Sequence, residues 1–414
     1  MTGPGPVPRR ERIAAAGGYR HLALALSTLA ATGSTTVHMG VPLLIPALVD
    51  SGLPLATAGL IGAMPAAGIV LTLIAWGWFV DRFGERAAMS LGLAATAAAT
   101  AAAAAVAGSG TAALAGALLL AGCGAASVNS ASGRVVSGWY PPARRGTAMG
   151  VRQMAQPLGA ALSAAALPAL AAAHGIGGAL AAAAGLCALL AAACLVGIVD
   201  PPRPAAGSAG HAAARANPYR GSGARVPYLV RIHLSSAMLS WPQSMMGSMF
   251  LVWLLARGFS GAAAAAVVIS AQLAGAASRA LMGLISDRVR SRLRPYRAVA
   301  AATLGLAAAA AALDAAGAGA AAAAVLGLLA VSAVSPNGLA LTAVAEYCGP
   351  LWSGRGMGAQ NTFQNVVYAA TPPLAGLVVA AAGFPALFAL TAAFPAAALL
   401  ISPRSDERGR ATLR

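Results

Sequence analysis

Along the chain, long apolar runs alternate with short polar loops. The runs begin near residues 22, 55, 87, 111, 146 and 177, and again near 228, 261, 297, 318, 356 and 384. A helix needs roughly 20 apolar residues to cross hydrocarbon about 30 Å thick, so the pattern predicts about twelve transmembrane helices. Several runs are dominated by alanine, as at 97–107 and 319–324, and insert by lack of charge more than by bulk. The strict two-residue alternation of a membrane β-barrel is missing. The first run is preceded by Arg9, Arg10, Arg12 and Arg20, as a signal peptide would be. It continues to about Ala47, beyond the roughly 7–15 apolar residues of a signal segment, so it reads as a retained helix. Residues 201–226 carry no apolar run and are rich in Pro, Gly, Ser and Arg, which marks a linker. The expected architecture is an all-α membrane protein, with a six-helix half at 1–200, a cytoplasmic linker at 201–226 and a second six-helix half at 227–414.

Composition agrees. Of 414 residues, 59% are hydrophobic and 9% charged, against roughly 25% charged in soluble domains. That excludes a soluble enzyme, a fibre or a disordered chain. The net charge of +17 comes from 27 basic residues, all arginine, and 10 acidic ones. With the amino terminus inside, 23 of the arginines fall on inner segments, and the outer loops hold only Arg257. Arg134, Arg152 and Arg279 lie within apolar runs. This asymmetry follows the positive-inside rule and predicts a multi-pass protein of the cytoplasmic (inner) membrane with both termini cytoplasmic. A nucleic-acid site would need a contiguous basic face with aromatics; the arginines are dispersed and aromatics make up 5%. Cys123, Cys187, Cys194 and Cys348 form no CxxC pair and have no neighbouring histidines, so neither metal nor disulfide is expected. No His, Asp or Glu set converges at depth as an enzyme would require. No cofactor or obligate protein partner is implied. The short terminal segments leave no room for the output domain of a receptor.

The halves repeat. Gly77-Trp78-Phe79-Val80-Asp81-Arg82-Phe83-Gly84-Glu85-Arg86 follows the second run, and Gly283-Leu284-Ile285-Ser286-Asp287-Arg288 follows the eighth, 206 positions on. A second echo, Met149-Gly150 and Met357-Gly358, lies 208 apart. Glycine allows close helix approach. The Asp81 carboxylate suits the free amides at a neighbouring helix start, and Arg82 and Arg86 hold the loop at the cytoplasmic surface. On these motifs and the topology, the chain resembles the major facilitator superfamily over its whole length. The resemblance implies two six-helix halves around a central substrate site. It also implies a conformational latch built from Gly77, Asp81, Arg82, Gly84, Arg86, Gly283, Asp287 and Arg288. The loop Tyr140-Pro141-Pro142-Ala143-Arg144-Arg145-Gly146 resembles the family's connection between the fourth and fifth helices.

Ionisable side chains at depth are costly and mark function. Arg279 lies eight residues before Asp287, about 12 Å from the helix end. It reads as a substrate or gating residue, or else as a structural arginine. It also resembles an arginine of the eighth helix with which organic-anion branches of the family hold a carboxylate. Arg152, Gln156 and Ser163 fall on one face of the fifth run, and Gln360, Gln364 and Thr371 on one face of the eleventh, beside Asn361, Asn365 and Tyr368. These polar faces line a cavity or bond helix to helix. Arg134 is expected to snorkel or to join a charge network with the Asp81 loop. His38, after Thr35 and Thr36, is either a hydrogen-bonded packing residue or a carrier for a coupling proton. Trp241-Pro242-Gln243 is expected to interrupt the seventh helix. No acid sits in mid-span, so buried arginines favour an anionic substrate. Gln156-Pro157-Leu158-Gly159 departs from the drug-antiporter signature of the family. The expected function is a secondary transporter of a small anionic solute, working by alternating access in the bilayer. Arg279 would anchor the solute, and Arg152, Gln156, Gln360, Gln364 and His38 would line its path. An efflux pump for an uncharged or cationic metabolite is the alternative.

Overall fold

The computed structural model describes residues 17–203, 208, 212, 214–220 and 226–407. Arg9, Arg10, Arg12, Arg225, Arg408, Arg410 and Arg414, counted above on the inner side, lie outside the described residues. The helices are α1 (Tyr19–Gly40), α2 (Ile45–Asp50), α3 (Leu55–Phe83), α4 (Glu85–Ala105), α5 (Thr111–Trp139), α6 (Arg145–Gln153) and α7 (Ala155–Gly197). They continue with α8 (Tyr228–Ala256), α9 (Gly261–Arg288), α10 (Leu293–Ala315), α11 (Gly319–Val334), α12 (Asn337–Cys348) and α13 (Ser353–Ile401).

Among the described residues, nine segments are long and apolar enough to cross a membrane. Two of them are double passes. The backbone leaves helical geometry at Gly175 (φ 72°) within Pro142–Gly197 and at Gly383 (φ 79°) within Ser353–Ile401. Both breaks coincide with predicted starts. The helix α8 has 29 residues and is long enough to span, but its serines, His233 and Gln243 dilute its apolar character. Counted as double passes, the two broken segments bring the apolar passes to eleven among the described residues, and α8 is a further helix of spanning length. One expectation fails: α8 runs unbroken through Pro242. Trp241 is instead part of the core, donating Nε1–H to Thr391 Oγ1 at 3.1 Å and stacking on Phe394 at 4.2 Å between ring centroids. A proline removes one backbone bond, and neighbouring helices in a membrane protein can absorb that loss.

Two compact units form. One gathers Met1–Pro141, Met154–Ala216 and Cys348–Gly358; the other gathers Pro142–Gln153, Asn217–Tyr347 and Ala359–Arg414. Lipid gives helices little hydrophobic reason to associate, so backbone proximity and hydrogen bonds do the work. In the first unit α3 and α5 meet backbone to backbone. A side chain at Gly122 would collide with the Pro65 main chain. Thr72 Oγ1 and Trp76 Nε1 both donate to the Cys123 carbonyl, at 3.0 and 2.7 Å. Between α4 and α7 a cleft is lined by alanines, among them Ala97, Ala101, Ala104, Ala181 and Ala188. The outward faces are apolar, with Leu71, Leu189, Val196 and Leu400 exposed, as a lipid boundary requires.

Each unit contains one aspartate closed on a helix start from the other sequence half. Asp81 accepts from the backbone N–H of Gly354 (2.9 Å) and Arg355 (3.0 Å), and Arg355 Nε donates to it at 2.9 Å. Asp287 accepts from the N–H of Gly146 (2.9 Å) and Thr147 (2.7 Å) and from Thr147 Oγ1 (2.7 Å). The first amides of a helix lack partners within it, and the helix dipole favours an anion there. Gly77 and Gly283 permit the approach: a Cβ at Gly77 would lie 2.5 Å from the Gly354 carbonyl oxygen, and one at Gly283 would lie 3.0 Å from Thr147 Cα.

The repeat reaches further than the motif. Asp200 accepts from Arg86 N at 2.8 Å, and Asp406, 206 positions on, accepts from Arg292 N at 3.0 Å. Both carboxylates cap the third membrane helix of their half. At the matching turn the first half has Gly84 (φ 102°) and the second has Arg290 (φ 52°), the one non-glycine residue with positive φ among the described residues.

Replacing Asp287 by alanine is expected to raise amide hydrogen exchange at Gly146 and Thr147, and Asp81→Ala to do the same at Gly354 and Arg355. Unchanged protection in both variants would rule out this anchoring role. Gly122→Val forces α3 and α5 apart and should lower the unfolding midpoint in detergent by several degrees, since overpacking costs about 1–3 kcal/mol. A midpoint equal to that of the parent protein would contradict the close packing described.

Candidate functional site

The two arginines predicted at depth come together in the second unit. Arg152 and Gln153 end α6, and Arg279 lies on α9, eight residues before Asp287. Arg152 and Arg279 are 5% and 4% exposed, so neither reaches solvent freely. Both bond to the same neutral residue. The Arg152 Nη1 donates to the side-chain oxygen of Gln153, and Arg279 Nη1 donates to its main-chain oxygen at 2.6 Å. The positive charge of Arg279 acts unfavourably on Arg152.

Local sequence explains why that carbonyl is available. In a continuous helix the oxygen of Gln153 would accept from the N–H of residue 157, which is Pro157 and has none. Arg279 takes the bond instead. Close packing makes the reach short. A Cβ at Gly150 would lie 2.9 Å from Ala280 Cα, so α6 and α9 touch through their backbones. The start of α12 lies on the same residue, since a Cβ at Gly338 would be 3.7 Å from Gln153 Cγ.

A neutral polar network continues from there. Gln364 Nε2 donates to Ser236 Oγ at 2.6 Å and to Asn337 Oδ1 at 3.4 Å, and Asn337 Nδ2 donates to Gln243 Oε1 at 2.8 Å. His233 Nδ1 donates to Gln360 Oε1 at 2.5 Å, while its Nε2 accepts from the Tyr219 hydroxyl at 2.9 Å. The Gln360 amide nitrogen is buried and has no hydrogen-bond acceptor among the described residues. Tyr368 lies near Arg279. Its carbonyl is freed by Pro372 in the same way as that of Gln153 and accepts from Ser244 Oγ at 2.7 Å.

The remaining predicted lining residues belong to the first unit. His38 Nδ1 bonds the Ser34 carbonyl at 3.2 Å, and Gln156 is half-buried at the start of α7. The predicted stripe Arg152–Gln156–Ser163 crosses the boundary between α6 and α7 at Met154, where the backbone stays in right-handed helical geometry (φ −66°, ψ −17°). Ser163 serves packing, donating to the Gly159 carbonyl at 2.7 Å and the Thr36 carbonyl at 3.3 Å.

Of the predicted latch residues, Gly77, Asp81, Gly283 and Asp287 form the two anchors. Gly84 supplies the left-handed turn beside Asp200. Arg86 binds Asp200 through its backbone N–H, and its Nε donates to the Leu195 carbonyl at 2.6 Å. Arg82 is exposed and lies over the rings of Trp78 and Phe83, 6.0 and 5.6 Å from their centroids; Arg288 is exposed at the end of α9. Arg134 joins the charge network: it pairs with Asp81 at 3.2 Å and with the buried Glu85 at 2.5 Å. Sequence reasoning missed Glu85, Arg203, which bonds the Val80 carbonyl at 2.9 Å, and Arg292, which bridges Asp287 and Glu346. Arg292 could have been found as the 206-position mate of Arg86. Also missed were His233, Gln153 and Asn337, each a polar residue within an apolar run and so visible in principle.

The buried and half-buried acids are engaged elsewhere. Asp81, Glu85, Asp287 and Glu346 meet arginines of the two anchors, and Asp314 pairs with Arg257 at 2.6 Å. Among the described residues no three His, Cys, Asp or Glu side chains are placed to hold a metal. The site brings together two arginines and a set of neutral donors and acceptors.

Known proteins give this geometry a family. Residues 24–370 match the Major Facilitator Superfamily. An uncharacterized MFS-type transporter of Mycobacterium tuberculosis is 44% identical over 397 residues, covering 92% of this chain and 84% of that protein. Among solved structures, a proton:xylose symporter aligns with a TM-score of 0.75 at 14% identity, covering 95% of this chain and 98% of its own. The human organic anion transporter aligns at 0.66 and 21% identity, covering 95% and 100%. A fucose:proton symporter of E. coli aligns at 0.70 and 15% identity, covering 92% and 97%. At these identities the structures establish the fold, while the sequence match and the family-wide motif establish kinship. The chain is a membrane transporter of the major facilitator superfamily.

Proposed function

We propose that this transporter is a secondary carrier of a small anionic solute, with both termini on the cytoplasmic side of the inner membrane. One observation carries the reading: Arg152 and Arg279, both buried, converge on the oxygens of a single neutral residue, Gln153. Burying two like charges together is costly, and an anion offsets that cost as a cation or neutral solute cannot. Solved relatives with this fold include sugar:proton symporters and an organic anion transporter, so the fold leaves the cargo open and the choice falls to these side chains.

In this mechanism the halves 1–200 and 227–414 move about the site. Arg279 anchors the negative group, and Arg152, Gln156, Gln360 and Gln364 line the path. Release of the Gly354–Arg355 amides by Asp81, and of the Gly146–Thr147 amides by Asp287, accompanies opening to the cytoplasm. Arg279 then has two alternative acceptors, the Gln153 carbonyl and the solute. A charge-assisted bond is roughly twice as strong as a neutral one, so an arriving anion can draw the guanidinium from the carbonyl. His38 carries the coupling proton on Nε2, because the Ser34 carbonyl holds a proton on Nδ1.

Arg279→Ala should cut uptake of the transported anion by more than about tenfold, the effect of losing about 1.4 kcal/mol or more of binding, while the protein still inserts and folds. Normal anion uptake by a well-expressed Arg279→Ala protein would sink the assignment. An imposed proton gradient should drive accumulation in proteoliposomes containing the parent protein but not the His38→Gln variant. Equal gradient dependence in both would remove His38 from the coupling step.

A further inference from the structure

The turn from α9 into α10 is heavily basic: residues 287–297 hold five arginines and one aspartate. Two of these arginines are engaged within the protein. Arg292 is buried and bridges Asp287 and Glu346, and Arg297 donates to the Leu399 carbonyl at 2.8 Å. The nearby Asp406 is also engaged, by Ser291 Oγ and by the N–H groups of Arg292 and Leu293. Arg288, Arg290 and Arg294 are exposed, and their guanidinium groups meet no carboxylate among the described residues. Both helices are long and apolar enough to span, and only Val289 to Arg292 separate them, so the turn lies at the membrane surface. One face of α9, with Ile269, Leu273, Leu281 and Leu284, is exposed and apolar, and Arg288 continues that face. Ala298, Ala301, Ala302 and Gly305 share an exposed face of α10, and Arg294 stands at its start. Val289, between the arginines, is 43% exposed.

Comparison with the first half shows that such a turn can be made without this charge. Shifted by 206 positions, Arg290 corresponds to Gly84 and Ser291 to Glu85. Left-handed backbone is costly for a residue with a Cβ and suits glycine, yet Arg290 holds φ 52°. A strained conformation kept at an exposed position points to a use for the side chain. We propose that this turn binds the headgroup of an anionic phospholipid, with its phosphate on Arg288, Arg290 and Arg294 and its acyl chains along the exposed faces of α9 and α10. Guanidinium groups match phosphate oxygens through paired, charge-assisted hydrogen bonds. The acyl chains cover Leu281, Leu284 and Val289, which a soluble polyanion would leave in water. Each basic residue at a charged membrane surface strengthens binding roughly fivefold. The site is independent of the transported cargo.

The test titrates the full-length protein in detergent with short-chain phosphatidylglycerol and with phosphatidylcholine of the same chain length. Bound lipid is followed by native mass spectrometry and stability by the unfolding midpoint. Phosphatidylglycerol should bind at least about tenfold more tightly at low ionic strength, and the preference should shrink as salt screens exposed charge. Arg288→Gln and Arg294→Gln should each weaken that binding roughly fivefold. Arg290→Gly separates ligand from scaffold: relief of the left-handed strain should hold or raise the lipid-free midpoint, while phosphatidylglycerol affinity still falls roughly fivefold. A residue that only shaped the turn would not move the two in opposite directions. Equal affinity for the two lipids, or an undiminished preference in all three variants, overturns the proposal. Displacement of phosphatidylglycerol by inorganic phosphate at matching concentration makes this a soluble-anion site and overturns the lipid assignment.

Discussion

Inside a bilayer no water is at hand for a stray backbone carbonyl or amide, so each must find its partner within the protein. That constraint bears on the candidate site, and burial within the protein imposes the same demand at the anchors. Helix starts at Gly146 and Gly354 would leave unbonded amides, and Asp287 and Asp81 receive them. Prolines create the opposite vacancy. Pro157 and Pro372 leave the carbonyls of Gln153 and Tyr368 without their helical donors, and Arg279 and Ser244 supply the missing bonds. Helix interruptions thus become the points where distant segments are tied together, and one of those ties holds a guanidinium at depth.

Charge is distributed under the same rule. Most of the arginine excess lies in the inner-side segments read from the sequence. The acids are few, and those near the membrane are committed to pairing: Asp81 and Glu85 with Arg134, Asp287 and Glu346 with Arg292, Asp314 with Arg257. Arg134, one of three intramembrane arginines in the sequence reading, is thereby neutralised within the first anchor. Arg152 and Arg279 lie outside both anchors.

Much of this was legible from residues alone. Hydrophobic runs locate helix starts because burial in lipid acts residue by residue, and the Gly-x-x-x-Asp-Arg repeat is a local string. The place of Arg279 along its helix followed from counting residues. Its acceptor did not, because it comes from a segment 126 positions away. The Arg152–Gln156–Ser163 stripe was read from helical periodicity, and Met154 between its first two members keeps helical φ/ψ although Pro157 offers no N–H to the turn. Pro242 misled: a proline weakens a helix locally, but packing of Trp241 against Phe394 and Thr391 keeps α8 continuous. The equivalence of Asp200 and Asp406 is not legible in the sequence, because their neighbours differ, and the capped helix starts reveal the match.

The alanine-lined cleft between α4 and α7 has a mechanical consequence. Alanine has no side-chain rotamers to freeze and projects only a methyl group. Helices faced with it form smooth surfaces without interlocking knobs and holes. Displacing one such surface along another breaks no jigsaw fit and requires no side chain to change rotamer. In the first unit, specific ties between helices are found at glycine crossings and hydrogen bonds, and the alanine faces between α4 and α7 add little that would fix their register.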